Sequence, residues 1–523
     1  MKSLLSLALG LLAATSASFG EDISAREAAR FLDQATWGPT PAAIAQFQQM
    51  GPVAWLNAQF ALNTSDLPDQ AILNSAGNSN NNLAPVQAAF FINTVTGQDQ
   101  LRQRVAFILS QMWVVSAETG VSPAYAYPPY WRIFRDNAFG NYRALIKAVT
   151  LSPAMGRYLN MANNNKANVA AGTSPNENYG RELMQLFTLG LTQLNLNGTP
   201  VVDGNGNPLP TYSQADVTNM AKLVTGWTYP TAPNVKAKVN NPAYYFGQMF
   251  AVESEHDTTA KTIFGNITIP AGQTAEQDLE SLLDALMAQP TMAPFVCRQL
   301  IEHLVTSNPS PAYIQRISQV FENDGTGVKG NLQAVIYAIL TDEEARAGDG
   351  SQSAITANFG HLREPVLLMP NLLLGLNATV ATTNAVANNA TNMGEELFYA
   401  PSVFSYFSPL SRTEKGLYGP EFQIYSTQTA ANRADTVNTL LYGTMTGVKV
   451  NLAPFVTAAA STTTLLNYIS EVFLHSSMSS ALEVAMTDAV NAASGSTATA
   501  AATAKAEAAL YVALTSSEYQ IIQ

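Results

Sequence analysis

The chain is poor in the residues on which many small sites and staples are built. One cysteine, Cys297, among 523 residues excludes an intrachain disulfide framework and any multi-cysteine zinc site. The histidines, His256, His303, His361 and His475, are far apart in sequence and leave little material for a histidine-rich metal centre. Charged residues make up 12% of the chain, below the usual quarter, so the surface must lean on Asn, Gln, Ser and Thr. A net charge of −12 argues against nucleic acid as a partner, because phosphate binding needs a basic face. No glycine-rich phosphate loop or haem-attachment string is present, and no cofactor is expected. Beyond the N-terminus no segment reaches ~18 apolar residues, so no transmembrane segment is expected.

What is present begins with an export signal over residues 1–20. Lys2 is followed by the apolar run Leu4 to Ala14 and by small residues at Ala17, Ser18 and Gly20, the three regions of a secretory leader. An uncleaved anchor is the alternative. Cleavage would leave a soluble periplasmic or extracellular product. Repeated capping signals and 3.6-residue apolar spacing predict a mainly α fold: a large multi-helix globular domain with short irregular β segments and long ordered loops. Residues 21–523 read as one helical domain, with possible sub-lobes 21–270 and 271–523 and a low-complexity loop near 490–503.

Ser174 to Gly190 predicts a helix with both ends marked. Ser174 is the candidate N-cap, Pro175 the first helical residue, Glu177 the closing member of a capping box, and Gly190 the stop. Tyr179, Leu183, Leu186 and Phe187 form the core-facing stripe. The polar side carries Glu177, Asn178, Arg181 and Glu182, with Glu177 and Arg181 one turn apart. Glu182 lies past the first turn, where capping cannot explain it. Ser213 and Asp216 predict another capping box, which gives Asp216 a structural explanation beside a catalytic one. His256-Asp257, followed by Lys261, is an imidazole beside a carboxylate, either an acid–base pair or a surface salt link. The cluster Tyr125 to Trp131 and the proline-broken stretch Glu395 to Pro409, with Tyr406, are either binding aromatics or covers of a hydrophobic edge.

Ala28-Ala-Arg-Phe-Leu with Trp37-Gly-Pro-Thr, Asn141-Tyr-Arg-Ala-Leu, the Pro175 to Gly190 block, Thr225-Gly-Trp, His256-Asp with Lys261-Thr, Arg363-Glu-Pro-Val, Ala400-Pro-Ser-Val-Phe-Ser-Tyr-Phe-Ser-Pro and Gly419-Pro-Glu-Phe-Gln-Ile together resemble the secreted bacterial family filed as domain of unknown function 1800. The resemblance implies export and a shared fold, and suggests a co-exported sulfatase-like protein as a candidate partner. It implies no reaction. Many members carry Trp-His-Asn-His-Phe after the Leu-Arg-x-Arg helix; here that stretch is Leu109-Ser-Gln-Met-Trp113, with both histidines replaced.

The expected function is therefore a carboxylate-dependent hydrolase or lyase acting on an extracellular or envelope polymer. Its candidate catalytic residues are Glu182, Glu177, Arg181, Asp216, His256 and Asp257, with Asn178, Trp227, Lys261 and Tyr406 as substrate-binding candidates. The alternative is a non-catalytic binding or assembly partner of the sulfatase-like protein. With Ser110 and Met112 in place of the two histidines, no zinc or iron should survive dialysis of the purified protein; a stoichiometric transition metal in elemental analysis would contradict this.

Overall fold

In the computed structural model, which describes residues 23–381 and 384–523, the chain is mainly helical. The expected leader, residues 1–20, lies outside the described residues. The strands are short antiparallel pairs: Trp227–Thr228 with Phe250–Ala251, Lys261–Ile263 with Ile267–Ile269, His361–Leu362 with Ile521–Ile522, and Thr379–Val380 with Val448–Lys449. Buried apolar side chains form one contiguous cluster running from Ala28 to Ile522. Among the described residues, no helix is long and apolar enough to cross a membrane.

Several helices start where the capping chemistry places them. Ser24 accepts from the Glu27 N–H at 3.1 Å ahead of helix Ala25–Ala35, and Ser213 with Asp216 forms a full capping box for Gln214–Leu223. The Ser174 to Gly190 stretch differs. Its α-helix spans only Asn178–Glu182 and passes into a π-helical turn, Leu183–Thr188. Asn164 explains the late start. Its side chain accepts from the Asn176 N–H at 2.7 Å and donates to the Asn176 carbonyl at 3.2 Å, so residue 176 is committed before a helix can begin. Glu177 makes no cap; its carboxylate takes Arg181, Gln214 and Thr218 instead. The expected loop at 490–503 shrinks to residues 493–497 between helices Ser480–Ala492 and Ala498–Thr515, because an alanine-rich run is a strong helix former once it has a partner to pack on. Tyr125, Tyr127, Tyr130 and Trp131 are buried in the core.

The two ends of the described chain meet around one buried ion pair. Arg363 donates in bidentate fashion to Asp33 at 2.8 and 2.9 Å. The Asn371 amide adds a bond at 2.9 Å and His475 Nε2 lies 3.1 Å away. Burial alone would raise the Asp33 carboxyl; Arg363 and His475 overcome it and hold the group well below the usual carboxylate range. The pair joins helix Ala25–Ala35 to the N-terminal end of helix Pro365–Gly375. Tyr519 donates to Asn371 at 2.7 Å and lies 5.1 Å from the Arg363 guanidinium, and the Arg363 N–H bonds the Gln520 carbonyl at 2.7 Å. Removing one member of a buried pair strands the other's charge. Asp33→Ala should therefore cost about 3–5 kcal/mol in chemical denaturation; a loss below about 1 kcal/mol would contradict the role given to the pair.

Candidate functional site

Five separated segments supply the side chains of a narrow cleft, mainly apolar with a few polar groups. Gln111 and Met112 come from the last turn of helix Gln100–Met112, and Glu302 and His303 from the last turn of Met292–Leu304. Leu186 comes from the π-helical turn, Ser405 and Phe407 from the loop broken by Pro401, and Glu421 from the 3-10 turn Pro420–Ile424. Together they leave a narrow space of about 50 Å³. The antiparallel pairing of His361–Leu362 with Ile521–Ile522 fixes His361 behind Glu421, with Nδ1 3.4 Å from a Glu421 carboxyl oxygen. On its far side His361 helps line a wider open groove of about 730 Å³, bounded by the turn that carries Arg412 and Tyr418.

The electrostatics of the cleft follow from burial with incomplete pairing. Burial pushes Glu421 up to about 8, and one of its oxygens has no hydrogen-bond partner. Burial also lifts Glu302, to about 7; its pairing with Arg298 at 2.7 Å opposes the shift, and the Glu421 charge adds to it. Near pH 7, then, one carboxyl is largely protonated and the other is half ionised. Burial and the neighbouring Arg104 guanidinium lower both His303 and His361 to about 3, so both imidazoles are neutral. Arg104 is fully buried and donates to the His303 carbonyl at 2.9 Å, which fixes the end of that helix.

Behind the cleft lies a second pair of carboxyls. The Gln111 amide donates to Glu364 at 2.7 Å and lies 3.5 Å from Glu395. Glu395 accepts the Val366 N–H at 2.8 Å, capping helix Pro365–Gly375 from across the core. Burial first, and the Glu364 charge second, push Glu395 far above the usual carboxylate range, and burial raises Glu364 as well. The Gln111 carbonyl oxygen, by contrast, is buried without a partner.

Apart from Tyr406, the residues singled out from sequence fall away from the cleft. Glu177 and Arg181 pair at 2.8 Å on a half-exposed face, and Asn178 binds Asn176 beside them through its backbone N–H. Glu182 is half buried, with one oxygen unpartnered, and burial raises its carboxyl against the pull of Arg181. Asp216 spends its carboxylate on the Ser213 cap and on the Phe264 N–H at 2.6 Å. His256 and Lys261 turn inward to meet Asp278, away from solvent, while Asp257 caps Thr259. Trp227 is buried in its short strand with its indole N–H unpaired. Tyr406 alone lies next to the cleft. Its hydroxyl donates to the Glu396 carbonyl at 2.7 Å, and it lines an aromatic hollow that shares Gln111 and Ser405 with the cleft. Ser110 and Met112, which replace the two histidines, point apart, Ser110 into that hollow and Met112 into the cleft. Among the described residues, no group of three or more His, Cys, Asp or Glu is placed to hold a metal ion.

Sequence reasoning missed Glu302, His303, His361, Glu364, Glu395 and Glu421 as site residues. The signal available was the set of strings Arg363-Glu-Pro-Val, Ala400 to Pro409 and Gly419-Pro-Glu-Phe, which converge on this one place. Neither a curated protein nor a solved structure matches the chain. A family model described as "Protein of unknown function (DUF1800)" matches residues 30–521. The chain belongs to that family.

Proposed function

We propose that the protein is an exported hydrolase or lyase that acts on an extracellular or envelope polymer by carboxylate acid–base chemistry. The observation that carries this reading is the pair Glu302 and Glu421, two carboxyls on one cleft held at about 7 and about 8. The Arg298 guanidinium beside Glu302, against the unpartnered oxygen of Glu421, assigns the roles. Glu421, protonated, is the proton donor to a leaving oxygen. Glu302, kept in place by Arg298, is the base that takes a proton from water or from a carbon beside the scissile bond. Neutral His303, whose ring has no hydrogen-bond partner among the described residues, and the free Gln111 carbonyl orient the reacting segment. A polymeric substrate would need more surface than the cleft offers, and the separate open groove on the far side of His361 is the nearest wide surface. This reading moves the acid–base work from Glu182 to the cleft and leaves Tyr406 in the adjoining hollow.

A second reading, a non-catalytic partner of a co-exported sulfatase-like protein, is favoured by one observation. Phe404 is exposed at the cleft and Phe422 at the neighbouring groove, as expected for a protein-binding rim. Variants separate the two: Glu302→Gln and Glu421→Gln should each lower turnover in a polymer-degradation screen by about 10²–10⁴-fold while leaving polymer binding intact. Unchanged turnover in both would remove the catalytic reading.

The pH dependence has a definite sign. Activity should rise as Glu302 loses its proton through about 7 and fall as Glu421 loses its own through about 8. Stability should move differently. Both folded values lie above the ordinary glutamate value, so the folded state holds protons that the unfolded chain gives up. Their contribution is full below the unfolded value and is lost as pH rises through about 7 and 8. Thermal melting across this range should fall for the wild type and fall less for Glu421→Gln; parallel curves would contradict the assignment.

A further inference from the structure

Away from the cleft, Lys261, Asp278 and His256 meet in a pocket closed to water, all three side chains 0% exposed. Lys261 opens the strand Lys261–Ile263, and Asp278 lies on the first turn of helix Ala275–Met287. The lysine Nζ lies 2.5 Å from Asp278 Oδ2 and also bonds the Asp257 carbonyl. His256 Nε2 lies 3.0 Å from the same Oδ2. The other oxygen, Oδ1, is buried with no partner.

As an ion pair this arrangement is poorly completed. Nζ has three N–H donors and two acceptors, one carboxylate oxygen is unpaired, and both charges are withdrawn from water, a cost that good pairing must offset. We propose that Lys261 and Asp278 are joined by an intramolecular isopeptide bond, formed spontaneously with His256 as the proton carrier. Nζ attacks the Asp278 side-chain carbon and the C–Oδ2 bond breaks. Two of the three ammonium protons end on Oδ2, which leaves as water; the third remains as the amide N–H, bonded to the Asp257 carbonyl. Oδ1 becomes the amide oxygen. Charge and atoms balance, and no oxidant or co-reactant is needed.

The hydrogen bonds of His256 fit the carrier role. Its Nδ1 lies 3.0 Å from the Thr225 carbonyl, which can only accept, so Nδ1 carries a hydrogen. A proton must then lie between Nε2 and Oδ2, whichever atom holds it. The leaving oxygen thus already faces the group that protonates it. Gly226 (φ +84) lets the chain pass close against His256, where a Cβ would come within 3.0 Å of its backbone nitrogen and Cβ. The product is a covalent link between the 261–263 strand and the 275–287 helix in a chain whose lone cysteine cannot form an internal disulfide.

The test is a tryptic map of the purified protein, digested after denaturation. An amidated Lys261 is not cut by trypsin, so the expected product is a peptide covering residues 239–298, lighter than its sequence by one water. Cleavage after Lys261, giving 239–261 and 262–298 at their sequence masses, would overturn the proposal. Asp278→Ala guards against a missed cleavage. Because digestion follows denaturation, that variant need not be stable; it should restore the cut after Lys261, and persistence of the uncut peptide there would equally overturn the proposal.

Discussion

Asp33 has no access to water, yet its carboxylate is held ionised because four acceptor positions are filled: two by Arg363, one by Asn371 and one by His475. A buried charge of this kind tolerates few arrangements. It requires helix Ala25–Ala35, the start of helix Pro365–Gly375, the His475 turn and the Tyr519–Gln520 segment to arrive together. Once Arg363 is fixed, its neighbours are fixed too. His361 and Leu362 pair with Ile521–Ile522, and Glu364 stands at the helix start. The position of the cleft floor thus follows from one ion pair more than 300 residues apart in sequence rather than from any local motif.

Above that floor the same burial acts with the opposite result. Asp33 is fully paired and stays charged, whereas Glu421 and Glu395 are buried with too few partners and take up protons. Glu302 lies between these limits because Arg298 offsets part of its desolvation. Arg104, a buried cation among these groups, leaves two of its own nitrogens unpaired. Such incomplete satisfaction is costly for stability and common where chemistry is done.

The helices were largely legible because their signals are local: a capping serine, a proline in the first turn, apolar residues every third or fourth position. Asp216 shows how far this goes, since its capping box is present as spelled out in sequence. The Ser174 to Gly190 stretch shows the limit. Its local signals were good, but Asn164, ten residues upstream, competes for the backbone of Asn176 and delays the helix. The cleft was not legible as chemistry. Its glutamates come from distant segments, Glu364 and Glu421 beside prolines and Glu302 inside an apolar helix, and only folding brings Glu302, Glu364, Glu395 and Glu421 within electrostatic reach. His256 and Lys261, conspicuous in sequence, meet in space through Asp278 rather than through Asp257, and Asp278 carries no mark that separates it from other helix-start acids.

The central claim is that the cleft keeps a protonated and an ionisable carboxyl side by side near neutral pH. The most direct measurement is a carbon-13 NMR titration of protein labelled at the glutamate side-chain carboxyl, with Glu302→Gln and Glu421→Gln to assign the signals. The account predicts one resonance titrating near 7 that disappears with Glu302 and one near 8 that disappears with Glu421. Loss of only ordinary signals, titrating near the ~4.3 of a free glutamate, would contradict it.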